Sequence, residues 1–122
     1  MPSLRSALGL QPDVSIIGDN VIPHTYSTSI TPNISAGNIF TIVISDGVAF
    51  AINAPTGSIQ KGSVIYFDIL NSSGGAHGTI TWNAIYKMAA LGAIASTKRK
   101  TVQFYYDGTS WVALGAPSAD TA

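Results

Sequence analysis

The side chains of this sequence that could perform acid–base chemistry or bind a metal ion are few and far apart. His24 and His77 are the two histidines, and either could act as a base or a ligand. Zinc sites and catalytic triads need further ligands or a carboxylate nearby, and no acidic cluster at ligand spacing accompanies either residue. We therefore interpret both as exposed loop histidines and expect no cofactor.

The acidic residues give equally little support for catalysis. Asp46 and Asp107 each precede a glycine, where turns use aspartate for local backbone hydrogen bonds. Asp68 has no such local reason, and we interpret it as the partner of a lysine or arginine at a sheet edge or subunit contact. Since no Gly-rich phosphate loop, HExxH or GxSxG motif occurs, the sequence predicts that the chain is not an enzyme.

Four of the six basic residues lie between Lys87 and Lys100, and the run Lys98-Arg99-Lys100 could contact phosphates. The chain has six basic and six acidic residues, so it has no net charge to attract nucleic acid or an anionic membrane. We expect neither partner. The basic run is better interpreted as a rim that pairs with carboxylates of a partner, or as protection of an edge strand.

Aromatic side chains could form a platform for a sugar ring, because aromatic faces pack against the apolar faces of sugars. The candidates are Trp82, Tyr86, Tyr105, Tyr106 and Trp111. For each of them a place in the protein core is the favoured interpretation.

The elements that must position these residues are predicted to be strands. Ile39 to Ile44 alternates, with Phe40, Ile42 and Ile44 on one face, and Ser45-Asp46-Gly47 predicts a hairpin turn into a second run, Val48 to Asn53. Residues 63–70 have large side chains on both faces, which indicates a central, two-sided strand. Residues 79–88 are predicted as a strand, with a short helix over 84–91 as the alternative.

Thr101 to Leu114 predicts a β-hairpin whose turn is Asp107-Gly108. We expect Phe104 and Trp111 inside the domain. Six to seven strands at about ten-residue spacing predict an all-β fold, a compact antiparallel β-sandwich or small barrel, and no internal repeat is evident. The predicted division is an N-terminal arm (1–28), the β domain (29–116) and a C-terminal tail (117–122).

The arm combines prolines with aliphatic residues, of which Leu8, Leu10, Ile16 and Ile17 are candidate interface residues. A disordered tail should be poor in such residues, so the arm orders either against a neighbouring subunit or on its own domain. The candidate interface also includes Asp68 and the run 98–100. Charged residues are only 10% of the chain, which favours an oligomer. The first residues do not form a signal peptide, so we expect synthesis in the cytoplasm.

Several segments together resemble a β module of tailed-bacteriophage structural proteins. They are Ile30-Thr31-Pro32, Ile39 to Ile44, Ala51-Ile-Asn-Ala-Pro-Thr, Ile80-Thr-Trp-Asn and Asp107-Gly108-Thr109 with Trp111. Such modules occur in capsid decoration proteins, head fibres and tail-fibre tips. The resemblance implies an antiparallel β fold, usually trimeric, without a cofactor, and it transfers no functional residues.

Among these virion components, an arm with one β domain fits a capsid decoration (cement) protein. This hypothesis predicts the capsid surface as location, and the major capsid protein and further copies of the chain, in a homotrimer, as partners. The alternative is a receptor-binding head-fibre or tail-fibre tip that contacts host glycan through surface aromatics and the loop 71–78.

Overall fold

A computed structural model of the chain describes residues 21–122, and all regular elements in that range are strands. They are β1 (Val21–His24), β2 (Ser29–Ile30), β3 (Ile39–Ile44), β4 (Phe50–Ile52), β5 (Val64–Asn71), β6 (Ile80–Trp82), β7 (Tyr86–Lys87), β8 (Arg99–Tyr106) and β9 (Trp111–Ala113). The all-β prediction is confirmed, with nine strands in two sheets. The favoured strand over 79–88 forms as two short pieces, β6 and β7, and the alternative helix does not form.

The first six strands alternate between two sheets. β1, β3 and β5 are neighbours in a six-stranded sheet of order β1-β3-β5-β8-β9-β7, while β2, β4 and β6 form a three-stranded sheet. All the pairings within these two sets are parallel, and Asn33 bridges Thr56 in the same direction. The chain therefore winds through three stacked turns, as in a short parallel β-solenoid.

This winding corrects two sequence expectations. Five of the seven strand pairings are parallel, so the predicted antiparallel arrangement is wrong for most of the fold. β3 and β4 do not form the predicted hairpin, because the turn after β3 carries the chain into the other sheet. Asp46 still shapes that turn, since its carboxylate accepts the Val48 N–H at 2.9 Å and the Tyr26 hydroxyl at 2.8 Å.

The core lies between the two sheets. Phe40, Ile42 and Ile44 are fully buried on one side of β3, as predicted. Phe67 of β5 lies at the centre, with its ring centroid 5.1 Å from that of Trp82 in the opposite sheet. Edge-to-face contacts of this kind add to the free energy gained by burying the rings.

The C-terminal third closes the stack with antiparallel pairing. β8 pairs with β5 along its length and turns through Asp107-Gly108 into β9, which confirms the predicted hairpin. Gly108 has a φ of 103°, a conformation that glycine adopts without strain. Phe104 and Trp111 are fully buried, as expected.

The segment after β9 continues along the free side of β8. The Ser118 N–H donates to the Thr101 carbonyl at 2.9 Å, and Thr121 exchanges two backbone hydrogen bonds with Arg99. In the part of the chain predicted as the arm, residues 21–24 pair with β3 as β1.

Candidate functional site

The surface with the clearest functional character is the outward side of β1, β3, β5 and β8, which we call the outer face. Residues on this side alternate with the buried ones, and the strand register aligns them in rows such as Val21, Ile39, Tyr66 and Gln103. The members of the outer face are Val21, Pro23, Ile39, Thr41, Val43, Val64, Tyr66, Asp68, Leu70, Arg99, Thr101, Gln103 and Tyr105.

The outer face exposes apolar side chains that no residue of the described range 21–122 covers. Val21, Val43 and Tyr66 are 38%, 48% and 37% exposed, and Leu114 beside the face is 49% exposed. These are four of the five large exposed hydrophobic residues in the described part of the chain. The first three share one side of one sheet and lie on both sides of the row that contains Asp68. Exposed apolar groups gathered on one surface indicate an interaction site.

The predicted partner of Asp68 is Arg99. The Arg99 Nη1 donates to the Asp68 Oδ2 at 3.0 Å across the β5–β8 pairing, which confirms the prediction that Asp68 meets a lysine or arginine. Its location differs from the predicted sheet edge, because β5 lies between β3 and β8. The Asp68 Oδ1, an acceptor, and the Arg99 Nε–H, a donor, have no hydrogen-bond partner among the described residues.

A shallow groove of about 310 Å³ crosses the outer face beside this ion pair. Tyr66, Thr101, Gln103 and Leu114 line it, and the Gln103 side chain donates to the Tyr66 hydroxyl at 3.0 Å. The groove contains hydroxyl and amide groups beside apolar carbon, and none of these four lining residues is charged. It therefore suits a neutral protein side chain.

The rest of the basic run does not belong to this face, because alternate residues of a strand point to opposite sides. Lys100 donates to the Leu91 carbonyl at 2.9 Å and lies 3.9 Å from Asp120. Lys98 precedes β8, and its carbonyl accepts the Asn71 N–H at 2.9 Å. β8 is internal in its sheet, so the interpretation of the run as edge-strand protection is wrong.

The outward side of the three-stranded sheet has a different character. Its central row is Ser29, Ala51 and Thr81, and the neighbouring Asn53 amide donates to the hydroxyls of Ser29 and Thr31 at 2.7 and 2.8 Å. Small polar groups that bond to one another and to water need no protein partner. The three-stranded sheet thus exposes polar groups that are already hydrogen-bonded, whereas the six-stranded sheet exposes apolar side chains.

The free edges at the first turn of the solenoid are protected against strand addition. Pro23, which has no N–H, occupies a position of β1 whose backbone points away from β3. In β2, the carbonyls of Thr28 and Ile30 accept bonds from β4, so Ser29 between them points outward. The Ser27 hydroxyl donates to the Ser29 carbonyl at 2.7 Å, which removes an acceptor from the open edge.

Both histidines are half-buried, so the expected exposure is wrong, and of the two only His77 lies in a loop. The His77 Nδ1–H donates to the carbonyl of the adjacent Gly78 at 2.6 Å, and its Nε2 accepts the Ile94 N–H at 3.0 Å. The second bond joins two loops. His24 lies on β1 with its ring 5.5 Å from that of Phe40, and burial lowers the pKa of His24.

The loop 71–78 is organised by Asn71, the one fully buried polar side chain of the described core. Its amide donates to the carbonyls of Gly75 and Ile94, and its Oδ1 accepts from the N–H and the hydroxyl of Ser73. The side chain is therefore fully satisfied, and it fixes this loop against the segment before β8. The sequence indicated only a polar connection here.

The aromatic residues do not form an exposed platform. Tyr86 and Trp111 are buried, and the Tyr86 hydroxyl donates to the Asn53 carbonyl at 2.8 Å. Burial raises the pKa of Tyr86. Tyr105 lies on the outer face, while Trp82 is half-buried at a cleft of about 310 Å³ whose lining also includes His77, Thr79 and Leu91.

Residues 21–122 contain no group of three or more histidine and carboxylate side chains that could hold a metal ion. None of these residues belongs to a helix that could cross a membrane. Leu8, Leu10, Ile16 and Ile17, the predicted interface residues of the arm, lie outside the described residues.

Comparison of the chain with protein-family models, with curated proteins and with solved structures finds no match. Sequence reasoning identified Asp68 and Arg99 but not the apolar residues around them. The alternation of Tyr66 and Leu70 with buried residues was the available signal, and it was interpreted as burial on both sides.

Proposed function

We propose that this chain is a structural protein of a tailed-phage particle, and that it decorates the capsid by binding the head lattice as an oligomer. The observation that carries the proposal is the outer face, which β1, β3 and the two eight-residue strands β5 and β8 form together. It exposes valine and tyrosine side chains around one ion pair. A surface of this kind binds by area and shape rather than by chemistry on a substrate.

The sequence resemblance to phage structural modules supports the same proposal. The resembling segments fold as strands, turns and core residues, among them the Asp107-Gly108 turn and the buried Trp111. A module that functions through whole surfaces needs such segments to keep a rigid scaffold. The low charge of the chain is consistent with permanent contact to protein rather than with free diffusion.

A binding experiment with phage heads tests the proposal. The purified chain is added to expanded heads that lack it, bound protein is measured by co-sedimentation, and the heads are then challenged with heat and with a chelator. We expect saturable binding and a higher temperature of head disruption. Absence of binding, or equal resistance with and without the chain, would contradict a decoration role.

The second candidate function, glycan binding by a fibre tip, is favoured by the cleft beside Trp82. The half-buried Trp82 lines this cleft together with Thr79 and His77, and aromatic faces pack against the apolar faces of sugars. A glycan array with the isolated chain separates the two candidates. The decoration role predicts no glycan signal, and a signal lost in Trp82→Ala would favour the fibre tip.

A further inference from the structure

We propose that the outer face of the six-stranded sheet binds a second copy of this chain. The inference rests on the proposed function for the use of this face as a contact surface, and it adds the identity of the partner. Three observations carry it: the distribution of exposed apolar residues, the charge balance of the face, and the protection of the strand edges.

The apolar residues are concentrated on one side of the molecule. Val21, Val43 and Tyr66 are on the outer face and Leu114 lines its groove, whereas Val48 lies in the loop between β3 and β4. Burying the face against water-excluding protein removes these side chains from solvent, at roughly 25 cal/mol per Å² of apolar area.

The charge balance of the face fits a copy of itself. Its only charged members are Asp68 and Arg99, which pair with each other, so two such faces meet without an excess of like charge. A strongly acidic or basic partner would find no unpaired opposite charge at the centre of the face. Lys87 lies on the same side at the short edge strand β7, where it is exposed and belongs to the rim.

The protected edges direct association to this face. Copies could otherwise join by adding strands to the sheet edges, which are β1 and β7 in one sheet and β2 and β6 in the other. β6 and β7 have only three and two residues, and such short edge strands offer little for an added strand to pair with. Pro23 lacks the donor that an added strand would need, and the Ser27 hydroxyl already occupies the Ser29 carbonyl. Contact through side chains of the outer face avoids both obstacles.

The size of the face sets the expected strength. Four strands at about 4.8 Å spacing, with four to eight residues at about 3.3 Å, give a surface of at most roughly 20 by 25 Å. The corresponding area of about 500 Å² is below the roughly 800 Å² that each partner buries in a standard stable interface. We therefore expect association that depends on concentration in the micromolar range.

Sedimentation velocity of the full chain over a wide concentration range tests the inference, with Val43→Lys as the disrupting variant. Val48→Lys is the matched control, because the substitution and the added charge are identical and the exposures are 48% and 51%. We expect the wild type and Val48→Lys to associate alike, and Val43→Lys to weaken association at least about tenfold, since it places an unpaired charge in the interface. Tyr66→Ala should weaken association as well, and an unchanged thermal transition verifies folding of each variant.

A wild type that is monomeric at every concentration, or a Val43→Lys variant that associates like Val48→Lys, would overturn the inference. If the monomeric wild type binds expanded heads and Val43→Lys does not, the face belongs to the capsid protein. The inference then fails, and the decoration role stands without self-association of the free chain. If Val43→Lys abolishes association while the wild type does not bind heads, the inference stands and the proposed function fails.

Discussion

The outward sides of the two sheets differ although the same three turns of chain build both. The three-stranded sheet exposes Ser29, Ala51 and Thr81, and the asparagine beside them bonds to neighbouring hydroxyls. The six-stranded sheet exposes Val43 and Tyr66 around an ion pair. The first surface is therefore complete in water, whereas the second exposes apolar groups of the kind that protein interfaces bury.

The largest effect on the free energy of unfolding is expected from substitutions on the buried side of β5. Phe67 is fully buried among Phe40, Trp82 and Phe104, so Phe67→Ala should lower the free energy of unfolding by about 3–5 kcal/mol in urea denaturation. Tyr66→Ala, one residue away on the outer face, should cost less than about 1 kcal/mol in the dilute chain. Equal costs would show that the two sides of β5 do not differ as described.

The next largest loss of stability is expected at Gly78, in the loop between β5 and β6. A Cβ at Gly78 would lie 2.4 Å from the Ala49 nitrogen and from the Val48 carbonyl carbon, so Gly78→Ala forces two backbone segments apart. We expect a loss of about 2 kcal/mol or more in the free energy of unfolding. Gly75→Ala is the control, because a Cβ there meets nothing within 4 Å. A tolerated Gly78→Ala would contradict the close approach of these loops.

The ion pair of the outer face should contribute little to the isolated chain. The Asp68 and Arg99 side chains are 26% and 42% exposed, and pairs of this kind contribute less than about 1 kcal/mol. A double-mutant cycle of Asp68→Asn and Arg99→Gln, measured by urea denaturation at low protein concentration, should give a coupling in that range. The same variants should weaken association more than they weaken folding. A coupling above about 2 kcal/mol in the monomer would mean that the pair stabilises the fold itself.

The smallest predicted effect concerns His24 at the edge of the six-stranded sheet. Burial lowers the pKa of His24 below its usual 6.5, so the unfolded chain binds more protons between these two values. Its contribution to stability is complete above pH 6.5 and declines as the pH falls toward the lowered pKa. The melting temperature of the wild type should therefore decrease slightly more between pH 7.5 and 5.5 than that of His24→Phe. A steeper decrease in the variant would reverse the assigned direction.

The sequence predicted strands better than it predicted their neighbours. Alternation identified Ile39 to Ile44 and the Asp107-Gly108 hairpin, because these signals lie within a few residues of each other. The Asp46-Gly47 turn has the same local chemistry, yet it joins strands of different sheets. The direction of pairing in a solenoid depends on contacts between successive turns, such as Phe40 with Phe67, which are far apart in the sequence.

Of the candidate site, the sequence predicted only the ion pair at its centre. Asp68 was recognisable because a charge between Phe67 and Ile69 needs a partner, and Arg99 belonged to the basic run. Large residues on both sides of β5 indicated burial of both sides, whereas the described residues fully bury only one side. Sequence pattern identifies apolar surface but not whether the same chain or another one covers it.

The most direct test of the central claim is the accessibility of single thiols on the two outward sides. The sequence has no cysteine, so Val43→Cys and Thr81→Cys each introduce one reactive group, on the six-stranded and the three-stranded sheet. Maleimide labelling rates are measured at low and at high protein concentration. The account predicts that the thiol at position 43 becomes protected at high concentration while the thiol at position 81 reacts at the same rate throughout. Equal reactivity of both thiols at every concentration would contradict it.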